Sequence, residues 1–114
     1  MRRTSHLESA VVYHETSGGL LGSWSLGSLA SNATVEGITT NGTDIWIVDS
    51  RSDKVFKYAG AATRTTLSQN AFSSFPLNLS NTSPTDLVAD GTSIWVLNNT
   101  SSSDKVFKYS VDGS

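Results

Sequence analysis

The sequence predicts an all-β protein of short antiparallel strands, and two observations lead to this fold class. One segment occurs twice: NGTDIWIVDSRSDKVFKY at residues 41–58 returns as DGTSIWVLNNTSSSDKVFKY at residues 90–109, with the last six residues identical. The chain is rich in Ser, Thr, Asn and Gly, and no long run of Ala, Leu, Glu and Lys indicates a helix. The length of 114 residues suits one small domain.

Four strands are predicted in the first part of the chain, each bounded by turn-forming residues. They cover residues 10–14, Leu20–Leu26, Val35–Thr40 and Ile45–Asp49. Asn41 and Gly42 give the strongest hairpin signal, because both central residues of a type I′ turn need a positive φ. The segment Ile45–Asp49 is apolar on both faces, so we expect this strand to be covered on both sides.

The pattern continues with two further strands, and then the cycle restarts. Residues 55–58 are predicted as a strand, and residues 63–67 as a Thr-rich outer strand of the same sheet. A long loop is expected from residue 68 to about residue 84. Three strands of a second cycle follow at residues 85–89, 94–97 and 106–109.

The period of the repeat favours β-propeller blades. Tyr13, Tyr58 and Tyr109 hold the same position in successive repeats, at spacings of 45 and 51 residues. Four short strands within such a period are typical of blades rather than of helical repeats or a β-sandwich. The chain is therefore expected to divide into a disordered or foreign start (1–9), the last two strands of a blade (10–30), a complete blade (31–68) and a blade without its outer strand (69–114).

About two four-stranded blades per chain would leave apolar faces and strand edges uncovered. Burying a large apolar side chain stabilises a protein by roughly 1.5–3 kcal/mol, so half-exposed tryptophans at the ends would be a serious loss. We therefore expect a ring that is completed by oligomerisation of three or four chains, or by flanking blades in sequence beyond these residues.

The two copies resemble the blades of bacterial NHL-like β-propeller repeats. The resemblance covers residues 35–109 and is carried by GITTNGTDIWIVDSRSDKVFKY and DLVADGTSIWVLNNTSSSDKVFKY. Because such repeats occur in large extracellular and surface proteins, it implies an extracellular or cell-surface location. It does not imply one ligand, because such families include scaffolds, sugar and protein binders, and a few lyases.

Polar residues on the turn between the second and third strands of each repeat are the candidate ligand-binding residues. The length differences between the copies fall in this turn and in the loop before the first strand, which leave an up-and-down sheet at the same end. Binding usually occurs on variable loops of a rigid scaffold. Their oxygens could suit calcium, but turn Asp and Asn usually bind their own backbone, so no metal is predicted. The residues are Asp49, Arg51, Asp53, Asn98, Asn99 and Asp104.

The aromatic residues of the repeat are expected to serve the core. Trp46 and Trp95 lie mid-strand in the most apolar segments, so packing between blades is favoured over a role as sugar platforms. Tyr58 and Tyr109 end the third strands and are expected to pack with their hydroxyls in water.

An apolar group in the long loop has two interpretations. Phe72, Phe75, Pro76 and Leu77 either anchor the loop on the sheet or form an exposed contact for a partner, and anchoring is favoured.

Composition and motif content argue against several function classes. The net charge of −2, with both signs scattered, indicates neither nucleic acid nor a membrane surface as partner, and no apolar run approaches a membrane span. The absence of cysteine removes disulfides and thiolate chemistry. His6 and His14 are the only histidines, and neither has an evident catalytic partner. No cofactor motif and no signal peptide are predicted.

The favoured function is a non-catalytic binding or structural scaffold that self-associates, with a glycan or a protein as its ligand. One alternative is a carbohydrate-binding propeller that uses the loops at residues 28–34 and 68–83. The other is a piece of a propeller lyase or hydrolase whose catalytic residues lie in flanking sequence.

Overall fold

The computed structural model describes residues 8–13, 17–102 and 104–113, and within these ranges ten strands form three sheets. Every strand pairing is antiparallel except that between the second and sixth strands. The predicted all-β class with antiparallel sheets is confirmed.

The strands follow one another along the chain in short steps, with one turn of 3₁₀ helix at Ala61–Thr63. Their bounds are β1 Ser9–Tyr13, β2 Leu20–Leu26, β3 Val35–Thr40, β4 Ile45–Asp49, β5 Lys54–Tyr58, β6 Ser68–Gln69, β7 Ser73–Pro76, β8 Pro84–Ala89, β9 Ser93–Asn99 and β10 Asp104–Ser110. Sheet 1 has the order β1-β2-β6, sheet 2 the order β3-β4-β5-β7, and sheet 3 the order β10-β9-β8. The predicted bounds of β2, β3 and β4 are confirmed, whereas His14 lies outside the described residues.

The predicted outer strand at residues 63–67 is wrong. Gly60 has a φ of 68° and turns the chain into the 3₁₀ helix, and Leu67 has a φ of 64°, which an extended strand does not allow. The outer strand of sheet 2 is β7, inside the segment predicted as a long loop, and it pairs with β5 from Lys57↔Ser73 to Lys54↔Pro76. Sheet 2 therefore ends at residue 76 instead of within residues 31–68.

The β3–β4 hairpin is confirmed, but its turn is not the predicted type I′. Gly42 has a φ of 94°, whereas Asn41 is not among the residues with a positive φ. The Asn41 Oδ1 instead accepts hydrogen bonds from the backbone N–H groups of Thr43 (2.9 Å) and Asp44 (2.8 Å). The side chain thus stabilises a wider four-residue connection, and Asp90 does the same before β9 through Thr92 and Ser93.

Sheet 2 lies between the other two sheets, and its central strands β4 and β5 have buried residues on both faces. Trp46 and Val48 point into a cluster shared with sheet 3, while Ile47 points into a cluster shared with sheet 1. The two-sided burial predicted for β4 is therefore confirmed. Gly37 lets β3 approach β8, because a Cβ there would lie only 2.8 Å from the Asp86 Oδ1 and 3.0 Å from its Cα.

Two equivalent tyrosines connect each sheet to the one before it. The buried Tyr58 hydroxyl donates a hydrogen bond to the Gly27 carbonyl just after β2, at 2.8 Å. The Tyr109 hydroxyl accepts hydrogen bonds from the Asn78 backbone N–H (3.0 Å) and the Asn81 Nδ2 (3.1 Å), just after β7. The expectation that these hydroxyls lie in water is wrong for Tyr58, because the adjacent sheet covers it.

The remaining apolar predictions have mixed outcomes. Trp46 is buried in the core as predicted, whereas Trp95 is only partly buried, because no described strand covers its face of sheet 3 and only the Lys108 ammonium lies over its ring, at 5.5 Å. Phe75 and Leu77 are buried and anchor their segment, which confirms the favoured interpretation for these two. Phe72 is 72% exposed, and the Lys57 ammonium lies 5.6 Å from its ring centre.

Candidate functional site

Asp49 ties together the two loops at one end of sheet 2. It is the last residue of β4 and is almost fully buried. Its Oδ1 accepts hydrogen bonds from the backbone N–H groups of Thr34 (2.8 Å) and Arg51 (3.0 Å), and its Oδ2 accepts one from the Ser52 hydroxyl (2.7 Å). Because Thr34 belongs to the loop that leads into β3, this arrangement, the Asp49 clamp, fixes the incoming loop against the turn after β4. The two loops predicted to share an end of the sheet do so.

Asn98 makes the same kind of connection in sheet 3. It occupies the repeat position of Asp49 and is buried. Its Oδ1 accepts a hydrogen bond from the Ser83 backbone N–H at 2.7 Å, and the Asn99 N–H bonds the Ser83 carbonyl at 3.0 Å. The Asn98 amide and the Asp49 carboxylate thus both bind a backbone N–H of the loop that precedes their sheet. The feature common to the two positions is a hydrogen-bond acceptor, not a negative charge.

Asp53 lies beside the Asp49 clamp in an unusual electrostatic setting. Its backbone has a φ of 55°, and its carbonyl accepts a hydrogen bond from Leu77 N–H at 2.9 Å. One carboxylate oxygen is buried and has no hydrogen-bond partner among the described residues. Burial, and in second place the charge of Asp49, raise the pKa of Asp53 above its usual value.

The other candidate residues do not join a common site. Arg51 and Asn99 are exposed, and Asp104 is an exposed residue at the start of β10. Asp49 and Asp53 lie together on sheet 2, whereas Asn98, Asn99 and Asp104 belong to sheet 3. Among the described residues, no group of three His, Cys, Asp or Glu side chains could hold a metal ion.

A polar cavity of about 420 Å³ next to the Asp49 clamp was missed by the sequence analysis. The loop before β3, the turn between β4 and β5, strand β5, the loop before β7 and β7 itself contribute to it, so its residues come from distant parts of the sequence without a shared spacing. The lining residues carry hydroxyl groups, one ammonium group, one carboxylate and one aromatic ring, a set that can hydrogen-bond and stack a polar ligand. The lining residues are Ser28, Ala30, Asp49, Ser52, Lys54, Phe56, Ala71, Ser73 and Ser74.

Both histidines, His6 and His14, lie outside the described residues, so the structure places neither of them. Over the part of the chain that is described, no helix is long and apolar enough to cross a membrane.

The comparisons with known proteins give no relative: no family model, no curated protein and no solved structure matches this chain.

Proposed function

We propose that the protein is a non-catalytic β-propeller repeat module that acts as a binding or structural scaffold, with three or four copies completing a ring. Sheet 2 supports this proposal because it is an antiparallel meander of four strands, the arrangement of a propeller blade. Sheet 3 repeats its first three strands in the same order.

The observation that carries the proposal is that the same face-to-face packing occurs twice with equivalent residues. Trp46 and Val48 of sheet 2 pack against Ile94 and Val96 of sheet 3. The repeat equivalents of Ile94 and Val96 are Ile45 and Ile47, which pack against sheet 1. In sheets 2 and 3, the face that carries Ile45 or its equivalent Ile94 packs against the preceding sheet. The opposite face of sheet 2, which carries Trp46, packs against the following sheet, so further copies can be added in the same way.

Solution mass across a dilution series tests this function. We expect a stable species at three or four times the chain mass of 12.1 kDa, measured by light scattering. A species that stays at the chain mass would contradict self-assembly and favour flanking blades of a longer protein. The extracellular or cell-surface location belongs to the same proposal and rests on the sequence resemblance.

A second candidate function, carbohydrate binding, is favoured by the cavity beside the Asp49 clamp. Ser28, Ser73 and Ser74 come from the two loops assigned to a sugar ligand on sequence grounds, and Phe56 adds an apolar surface. A glycan array should show binding that the cavity-filling variant Ala30→Trp loses. Absence of binding to every glycan would contradict this candidate and leave the scaffold proposal unaffected.

A further inference from the structure

Two equivalent apolar positions of the repeat have very different exposure. Leu87 and Ile94 of sheet 3 are buried against sheet 2, with Leu87 only 5% exposed. Their repeat equivalents in sheet 2 are Ile38 and Ile45, and Ile38 is 55% exposed. The difference arises because sheet 1 covers only part of sheet 2: no described strand lies beyond β1, at the position that β4 occupies next to β5.

This missing cover leaves a groove beside β1 with a volume of about 620 Å³, called here the β1 groove. One edge of β1 pairs with β2, and the other edge has no strand partner in the described chain. A free backbone edge next to an apolar wall is a site for strand addition. The groove is lined by Ala10, Val11, Val12, Tyr13, Trp24, Ile38, Thr40, Gly42, Ile45, Ala61 and Ala62.

The same chain carries an exposed surface that matches this groove. On sheet 2, Trp46 and Val48 of β4 cover the Leu87–Ile94 side of sheet 3. Their repeat equivalents on β9 are Trp95 and Leu97, which lie on an apolar surface with Val88 and Val106 that no described strand covers. Trp95 is partly buried, with the Lys108 ammonium 5.5 Å from its ring centre. Val106 is 66% exposed, whereas its equivalent Val55 is fully buried. Groove and surface are therefore the two halves of a contact that the molecule already makes once internally.

We propose that the β1 groove binds the β8–β9 hairpin of a second copy of the chain. In this contact β9 pairs with the free edge of β1, and Trp95 and Leu97 cover Ile38 and Ile45. This inference rests on the proposed scaffold function and names the surfaces through which the copies join. It is a head-to-tail contact, so each copy keeps one groove and one hairpin, and repetition gives a ring where the rotation between copies closes and a filament where it does not.

The register of the new pairing follows from the repeat. Val106 pairs with Leu97 inside sheet 3, and Ala10 is the repeat equivalent of Val106, so Ala10 should face Leu97 of the second copy. β1 then takes the place of β10 on β9. β10 must then leave β9, so the exchange gives up the β9–β10 pairing and the Tyr109 hydrogen bonds to Asn78 and Asn81 in return for the new pairing. The hybrid sheet then has the order β8-β9-β1-β2-β6, in which β8, β9, β1 and β2 correspond to the four strands of sheet 2.

Charge-introducing variants test the two surfaces separately. Ile38→Asp disables the groove, and Trp95→Asp disables the hairpin, so each should reduce self-association at least tenfold. An equimolar mixture of the two should form a one-to-one dimer, because one intact groove still meets one intact hairpin. Leu79→Asp, at a site 94% exposed and outside both surfaces, is the matched control and should associate like the wild type. Circular dichroism checks that every variant is folded, and Val88→Asp replaces Trp95→Asp if that variant unfolds.

A cysteine cross-link tests the register directly, because the chain contains no cysteine. Copies with Ala10→Cys mixed with copies carrying Leu97→Cys should form a disulfide-linked pair on oxidation, seen on a non-reducing gel. Copies with Leu79→Cys should not cross-link to Ala10→Cys. If the wild type associates but the designed pair fails to cross-link, the hairpin inference is wrong and the scaffold proposal survives. A wild type that stays monomeric at all concentrations overturns the inference itself, because the occupant would not be a second copy.

Discussion

Replacing Asp49 by alanine should remove the Asp49 clamp and strongly destabilise the protein. The carboxylate accepts three hydrogen bonds, from Thr34 N–H, Arg51 N–H and the Ser52 hydroxyl, at 2.8, 3.0 and 2.7 Å. A hydrogen bond of this kind contributes about 1 kcal/mol net, so the variant should lose about 3 kcal/mol of unfolding free energy. For a domain of this size, that loss corresponds to a decrease in Tm of roughly 10–20 °C.

Two variants serve as controls for this prediction. Asp49→Asn keeps the acceptor oxygen that binds the Thr34 and Arg51 N–H groups, as Asn98 does in sheet 3, and should lose only about 1 kcal/mol. Ser52→Ala removes a single hydrogen bond and should lose a similar amount. The measurement is urea denaturation followed by tryptophan fluorescence at one protein concentration, so that any self-association is held constant.

Two outcomes would change the explanation of why Asp49 stabilises the protein, and a pKa measurement gives a separate check. A loss below about 0.5 kcal/mol for Asp49→Ala would refute the clamp, because surface substitutions commonly stay within that limit. If Asp49→Asn is as damaging as Asp49→Ala, the negative charge matters rather than the acceptor position. Asp49→Asn should also lower the pKa of Asp53 towards its usual value, since the charge of Asp49 is one of the two causes that raise it. Carboxyl NMR titration measures that change.

Four further substitutions test other features of the fold. Tyr58→Phe removes the hydrogen bond to the Gly27 carbonyl between sheets 1 and 2 and should lower the unfolding free energy in urea by about 1 kcal/mol. Gly37→Val pushes a side chain into Asp86 and should cost about 2 kcal/mol by calorimetry, whereas Gly42→Ala, in open space, should cost only its backbone strain. Backbone hydrogen bonds hold the pKa of Asp90 below its usual value, so its stabilising effect is present above pH 3.8 and is lost as the pH falls through the lowered folded-state pKa. Asp90→Asn should therefore lose less stability than the wild type between neutral pH and acid in urea titrations.

The strands that sequence reasoning predicted well are those with a strong burial pattern. β4 alternates between two apolar clusters, and its bounds follow from that pattern alone. β7 was missed because only Phe75 of its four residues is buried, and the strand is held mainly by backbone pairing to β5. The type I′ prediction for Asn41 failed because its side chain bonds two backbone N–H groups and so stabilises a wider loop.

The candidate site was predicted only in part, for a physical reason. The repeat aligns Asp49 with Asn98, and both bond the loops that precede β3 and β8, but they lie at the ends of β4 and β9 and not on the turns where they were predicted. Their hydrogen-bond partners, Thr34 and Ser83, lie 15 residues earlier in irregular segments that no periodicity describes. The cavity could not be predicted either, because Ser28 and Ser73 meet only when the loop before β3 folds beside β7.

The central position of sheet 2 implies an uneven resistance to local opening. Amide protons of β4 and β5 are bonded within central strands that have buried residues on both faces, so they should exchange slowest with deuterated solvent. β1 and β10 each have one unpaired edge in the described chain and one poorly covered face, so their amides should exchange soonest. We therefore expect sheet 2 to resist local opening most among the described sheets, and β1 and β10 to open first.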